Sequence, residues 1–153
     1  MAADPVVALM SIHPRFAQAI LAGTKLVELR RVPFKRPVTH VFIYETGSNG
    51  AVVGLFEVKR VVEASPRAVW KTYNGGSGLT KREFDGYYSG KHCAVAIEVG
   101  RTFRLDMPMP LRDFKITRPP QSFMYLCPTT VEGVIPTHWP SRPSVEKEAK
   151  GSS

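Results

Sequence analysis

The spacing of apolar and polar positions changes period several times along the chain, and each change marks an element. Val6 to Ile12 is a short apolar run ending at a polar turn, which suits a buried strand. Pro14 then fits the first turn of a helix, with His13 or Ser11 as cap. Phe16, Ile20 and Leu21 form its apolar stripe, and Gly23 closes it. From Lys25 to Val32 the period falls to two: Val27 and Leu29 share one face, while Leu26, Glu28 and Arg30 share the other. A strand is expected over Val38 to Tyr44. A long β segment from Ala51 to Val62 makes a hairpin with it across Gly47-Ser48-Asn49-Gly50.

Further on, Ser65-Pro66 reads as a cap and first turn, followed by Val69, Trp70 and Tyr73 at helical spacing. Thr80 and Glu83 form a T-x-x-E capping box, with Phe84, Tyr87 and Tyr88 as one aromatic face behind it. His92 to Val99 returns to strand, Gly100 is expected to turn, and Thr102 to Leu105 to continue the sheet. Met107-Pro108-Met109-Pro110 should break it before a helical turn at Leu111 to Phe114. Gln121 to Leu126 reads as a last strand, and from Pro140 the composition turns polar. The expected organisation is one domain over 1–139 with a disordered tail over 140–153. Strands alternate irregularly with short helices and no βαβ repeat is sustained. The expected class is α+β, a small mixed β-barrel with flanking helices.

Composition adds a partner class to this outline. Among 153 residues, Lys and Arg number 21 and Asp and Glu 13, a net charge of +8 that favours polyanions such as nucleic acid. No apolar run approaches the roughly 20 residues of a spanning helix, and MAADPVVALM lacks the basic and long apolar regions of a signal peptide, so a soluble cytoplasmic protein without membrane contact is expected. Cys93 and Cys127 are too few for a disulfide framework and read as reduced core thiols. The four histidines, at positions 13, 40, 92 and 138, show no metal-ligand spacing, and no glycine loop matches a P-loop. Neither a metal nor a cofactor is expected. His92 and Cys93, adjacent on a predicted strand, point to opposite faces and cannot form a dyad.

The charge is concentrated. Between Arg15 and Arg36 there are six Lys or Arg and one acid, Glu28. The run SIHPRFAQAILAGTKLVELRR, from Ser11 to Arg31, with Gly23, Lys25, Glu28 and Arg30 in a G-x-K-x-x-E-x-R pattern, resembles the signature of the ASCH domain, a branch of the PUA-like superfold. The resemblance extends through VFIYET, VVGLFEV and the helix bearing Trp70, over roughly residues 7 to 126. It implies a small β-barrel with helices at its rim and a cleft that takes nucleic acid, DNA or RNA, with relatives in the superfold seating an extruded or modified base. Some small ASCH proteins are implied to be hydrolases of modified cytidine or RNA, with a reactive lysine at the place of Lys25. They carry threonine where this chain has Glu28. Their catalytic glutamate stands just before the T-x-x-E helix, where this chain has Gly75-Gly76-Ser77-Gly78-Leu79.

The resulting expectation is a non-catalytic nucleic-acid-binding module, the alternative being a hydrolase working through Lys25 and Glu28. A base pocket is expected where the first helix meets the barrel, built from His13, Lys25, Glu28, Arg30, Tyr44 and Trp70 and closed by Gln121, Ser122 and Phe123. Glu28 would accept from an exocyclic amine and Arg30 would hold it in place. For Glu28 and Arg30 an ordinary exposed i, i+2 ion pair is an equally weighted reading. Trp70, Tyr73, Phe84, Tyr87 and Tyr88 read by their helical spacing mainly as core, with Trp70 as the candidate for the cleft rim. Arg15, Arg31, Lys35 and Arg36 are the expected phosphate contacts, with Phe34 interleaved.

Overall fold

The computed structural model describes residues 5–48, 50–131 and 134. Six strands form one mixed, curled sheet in the order β2-β5-β4-β3-β1-β6: β1 (Val7–Ile12), β2 (Val27–Arg30), β3 (His40–Glu45), β4 (Ala51–Ala64), β5 (Ala94–Met109) and β6 (Phe123–Leu126). β1 runs parallel to β3, and every other pairing is antiparallel. The helices are α1 (Pro14–Ala22), α2 (Pro66–Tyr73), α3 (Lys81–Tyr87) and a short α4 (Pro128–Val131), with 3₁₀ turns at Asn74–Gly76 and Leu111–Phe114. The α+β barrel-like class read from the sequence is the one observed.

The two-residue period of β1 explains why it is buried almost throughout. Ala8, Met10 and Ile12 face α1 together with Ile20, Val41, Ile43, Phe56, Val95 and Ile97, while Val7 and Leu9 face a second cluster with Phe42, Leu55, Phe114 and Leu126. A third cluster lies under α2 and α3, where Ala94 and Ala96 of β5 are small enough for Val69, Phe84 and Tyr88 to close on the sheet. Each large apolar side chain so buried contributes roughly 1.5–3 kcal/mol.

Local signals fix the helix ends. His13 caps α1, its Nδ1 accepting from the Arg15 N–H at 3.2 Å, with Pro14 in the first turn; Gly23, at φ 84°, adopts the left-handed conformation that closes it. Ser65 caps α2, and Thr80 with Glu83 forms the full capping box of α3.

Three expectations require correction. Gly100 does not turn: β5 runs through it to Met109, and a Cβ there would stand 3.1 Å from the Glu57 carbonyl oxygen. Glycine therefore serves close strand approach beside the register shifts around Val58. Pro108 does not end the strand either. β2 pairs with β5 only over residues 95–98, and the β4–β5 register shifts between Val52 and Gly54, so no ladder hydrogen bond is demanded of residue 108. Cys93 and Cys127 are free but exposed, since each lies just outside a strand. The tail expected over 140–153 lies outside the described residues. Among the described residues no helix is long and apolar enough to cross a membrane.

Candidate functional site

The curl of the sheet brings its first strand back toward its last two. β2 and β1 are separated by three strands in the sheet order, yet Arg30 of β2 donates from Nη2 to the Ser11 carbonyl of β1 at 2.9 Å and from Nη1 to Ser122 Oγ at 3.3 Å. One guanidinium thus spans the open seam of the half-barrel. Its Nε and Nη2 also donate to Glu28 Oε2 at 2.9 and 2.7 Å, and the Arg30 carbonyl accepts from the Tyr88 hydroxyl at 2.8 Å.

Lys25 completes a line of buried charge. The C-terminal turn of α1 holds it, its backbone N–H donating to Ala19 O at 3.0 Å, so that the residue precedes β2 rather than sharing its alternation. The side chain runs inward and is only 2% exposed. Nζ donates to the Ser77 carbonyl, stands 3.6 Å from Glu28 Oε1 and lies 4.8 Å from the centre of the Phe16 ring. Burial pulls the ammonium below its ordinary pKa, and the neighbouring Glu28 carboxylate opposes that shift. Glu28 is itself 6% exposed. Both Arg30 contacts fall on Oε2, so Oε1 faces Lys25 at more than hydrogen-bond distance and keeps capacity for a ligand N–H.

These groups line a cavity of about 450 Å³ between α1, β2 and α3. His13, Arg15 and Phe16 come from α1 and its cap, Lys25, Glu28 and Arg30 from β2 and its approach, and Leu79, Glu83 and Tyr87 from the α3 side. Because Nδ1 of His13 accepts a backbone N–H, the neutral ring carries its proton on Nε2. Arg15 bridges the two helices, donating to both Glu83 oxygens at 2.6 and 3.1 Å and to the Gly78 carbonyl at 3.0 Å. That guanidinium, with the Thr80 N–H, holds the Glu83 carboxyl down at about 2. Burial pushes the Tyr87 phenol above its ordinary value, so it stays a neutral donor at physiological pH. Its size falls in the range of small-ligand clefts, and ionisable side chains share its wall with Ile12, Phe16, Leu29 and Leu79.

Of the residues expected here, His13, Lys25, Glu28 and Arg30 converge on the cavity. Ser122 touches it through Arg30. Tyr44 lies elsewhere, packed with the second cluster, and a Cβ on Gly50 would collide with its hydroxyl. Trp70 lies on the far side of α3, its ring 4.9 Å from that of Phe84. Gln121 is exposed, and Phe123 packs edge-on against Phe34 at 4.8 Å. Arg31, Lys35 and Arg36 are exposed and pair with no carboxylate among the described residues. Arg31 covers the Tyr87 ring at 4.2 Å and Arg36 the Tyr125 ring at 5.1 Å. Arg15, expected on the phosphate track, is instead taken up by Glu83.

Sequence reasoning missed Glu83 and Tyr87, read only as a cap and a core aromatic. Their i, i+4 spacing, shared with Leu79, was the available signal. It also missed the loop backbone. Ser77 is 1% exposed, Leu26 N–H donates to Gly76 O at 2.8 Å, and Gly78, at φ 74°, makes the left-handed turn beside the Lys25 stem.

The family model of the ASCH domain matches residues 10–103. The chain belongs to the ASCH family. An ASCH domain-containing ribonuclease from Zymomonas mobilis subsp. mobilis is 30% identical over 124 residues, covering 78% of this chain and 83% of that protein. The large ribosomal subunit protein uL22 of Ureaplasma parvum serovar 3 is 28% identical over 120 residues, which cover 77% of this chain. This ASCH domain spans only 38% of the length of that relative. The crystal structure of ASCH from Zymomonas mobilis superimposes with a TM-score of 0.77 at 26% identity, over 84% of this chain and 93% of that one. That of a serine-to-alanine mutant of the same protein gives 0.78 at 25% identity, over 84% and 94%.

Proposed function

We propose that this ASCH domain binds nucleic acid, holding one base or nucleotide in the cavity between α1, β2 and α3 while Arg31, Lys35 and Arg36 follow the phosphates. The observation that carries the reading is the juxtaposition of a cavity of about 450 Å³, floored by Lys25, Glu28 and Arg30, with an exposed run of cations that no carboxylate among the described residues neutralises. Oε1 of Glu28 is the acceptor for a base amine. Arg30 holds that carboxylate in place through two hydrogen bonds to Oε2. Arg31, stacked on the Tyr87 wall, stands where a phosphate would leave the cavity. The name of the Zymomonas relative favours RNA over DNA as the polymer. Fluorescence anisotropy against matched single- and double-stranded RNA and DNA tests this. Salt-sensitive binding to single strands is expected, and no binding to any member at low salt would refute it.

A second reading, hydrolysis, has its own support in the buried Lys25 amine beside Glu28 and in the relative's ribonuclease name. Against it, Lys25 Nζ is engaged by the Ser77 carbonyl, and the loop at 75–79 supplies no carboxylate. No turnover of structured RNA or acylated cytidine is expected. Turnover lost in both Lys25→Met and Glu28→Gln would promote this reading.

A further inference from the structure

Helix α3 divides two cavities. At 3.6 residues per turn, Glu83 and Tyr87, which face the first, fall about half a turn from Lys81 and Asp85, which face a second of about 570 Å³ between α2 and α3. The floor of this second cavity is Trp70, half-buried and backed by Phe84. Lys81 Nζ stands 5.9 Å from the Trp70 ring centre, and Arg67 and Lys71 are exposed on the rim. Asp85 is the acid among the lining residues and is bound to Lys81 at 2.7 Å, so the rim carries a surplus of two positive charges.

An indole face in an apolar hollow with a cationic rim is matched by an unstacked base and its phosphates. We infer that the α2–α3 cavity is a second nucleotide subsite, in which Trp70 stacks a base of the same single strand whose other nucleotide occupies the first cavity. The inference rests on the proposed binding function. The two subsites are separated by about the width of one helix, 10–12 Å, so a strand a few nucleotides long reaches both and a mononucleotide only one. Lys81, drawn toward a phosphate, would exchange its Asp85 partner for the ligand.

The test uses the full chain carrying Trp139→Phe, which leaves Trp70 as the single tryptophan, and RNA oligonucleotides of one to eight residues. Quenching of Trp70 should be absent with the mononucleotide and appear as length grows. Trp70→Leu should weaken the eight-residue strand about 5- to 150-fold while leaving the mononucleotide unaffected. Should Trp70→Leu perturb folding, Arg67→Ala with Lys71→Ala alters only exposed rim residues, and should lower the magnitude of the salt slope by about 1.4 for a single strand. Length-dependent binding that neither quenches Trp70 nor responds to the rim variants refutes the second subsite and leaves the first intact. Failure of every oligonucleotide to bind refutes both. Trp70 quenching by rising protein concentration alone, without RNA, would assign the cavity to a second copy of the chain and likewise overturn the inference.

Discussion

The β2 cavity and the 31–36 loop are adjacent in sequence, yet they treat charge in opposite ways. In the cavity, Lys25 is 2% and Glu28 6% exposed, and Arg30 ties Glu28 to the Ser11 carbonyl across the barrel seam. In the loop, Arg31, Lys35 and Arg36 are exposed, and Arg31 and Arg36 lie on the flat faces of Tyr87 and Tyr125. Buried, paired charges are geometrically fixed and little screened, so they can select a ligand. Exposed charges contribute attraction that salt removes. In the proposed function, one peptide segment thus supplies selectivity on one side of residue 30 and bulk affinity on the other.

Removing the central cation should have the largest effect. Arg30→Ala leaves Glu28 half-neutralised and opens the seam, and should cost about 3 kcal/mol of stability by urea denaturation. A loss below about 1 kcal/mol would mean that the seam does not depend on this side chain. Next in size, replacing Arg31, Lys35 and Arg36 together by alanine should reduce the magnitude of the salt slope of RNA binding by about two units, with stability nearly unchanged. An unaltered slope would move the phosphate track elsewhere, with the exposed Lys91 next to be tested.

A smaller effect should separate the regions by pH. Burial lowers the folded-state pKa of Lys25 below the 10.5 of an exposed lysine, so between those values the unfolded chain binds more protons. Stability therefore gains a contribution as pH rises toward 10.5. Lys25→Met should abolish that rise, whereas Lys35→Met should not. The smallest effect is expected at the cavity rim. With the Glu83 carboxyl at about 2 against 4.5 unfolded, its contribution is full above 4.5 and is lost as pH falls toward 2. Glu83→Gln should flatten the acid limb of the stability profile within that window.

The parts of this arrangement legible from sequence are those governed by local rules. The His13 cap, the Gly23 stop and the Thr80–Glu83 box place the helices, and the two-residue period puts Glu28 and Arg30 on one face, with the observed 2.7 Å contact as its consequence. Whether that pair would be exposed or buried was not legible, because burial depends on the curl that brings β2 toward β1 and β6. The same long-range closure decides that Tyr44 faces the second cluster, that Trp70 lies behind α3, and that a loop carbonyl meets Lys25. Pro108 and Gly100 misled for a related reason. Their local preference says break or turn, while missing pairing on one side and close strand approach on the other tolerate them within β5.

The division of labour between cavity and loop is tested most directly by measuring Glu28→Gln and Arg36→Ala side by side, against RNA strands that differ at one base, plain or modified. The expected result is a crossed pattern. Glu28→Gln should compress the spread of affinities across the bases more than it lowers their mean, and Arg36→Ala should lower the mean and its salt dependence while preserving the spread. Uniform loss of affinity in both variants would contradict the account and leave the chain an electrostatic binder without a base-selective cavity.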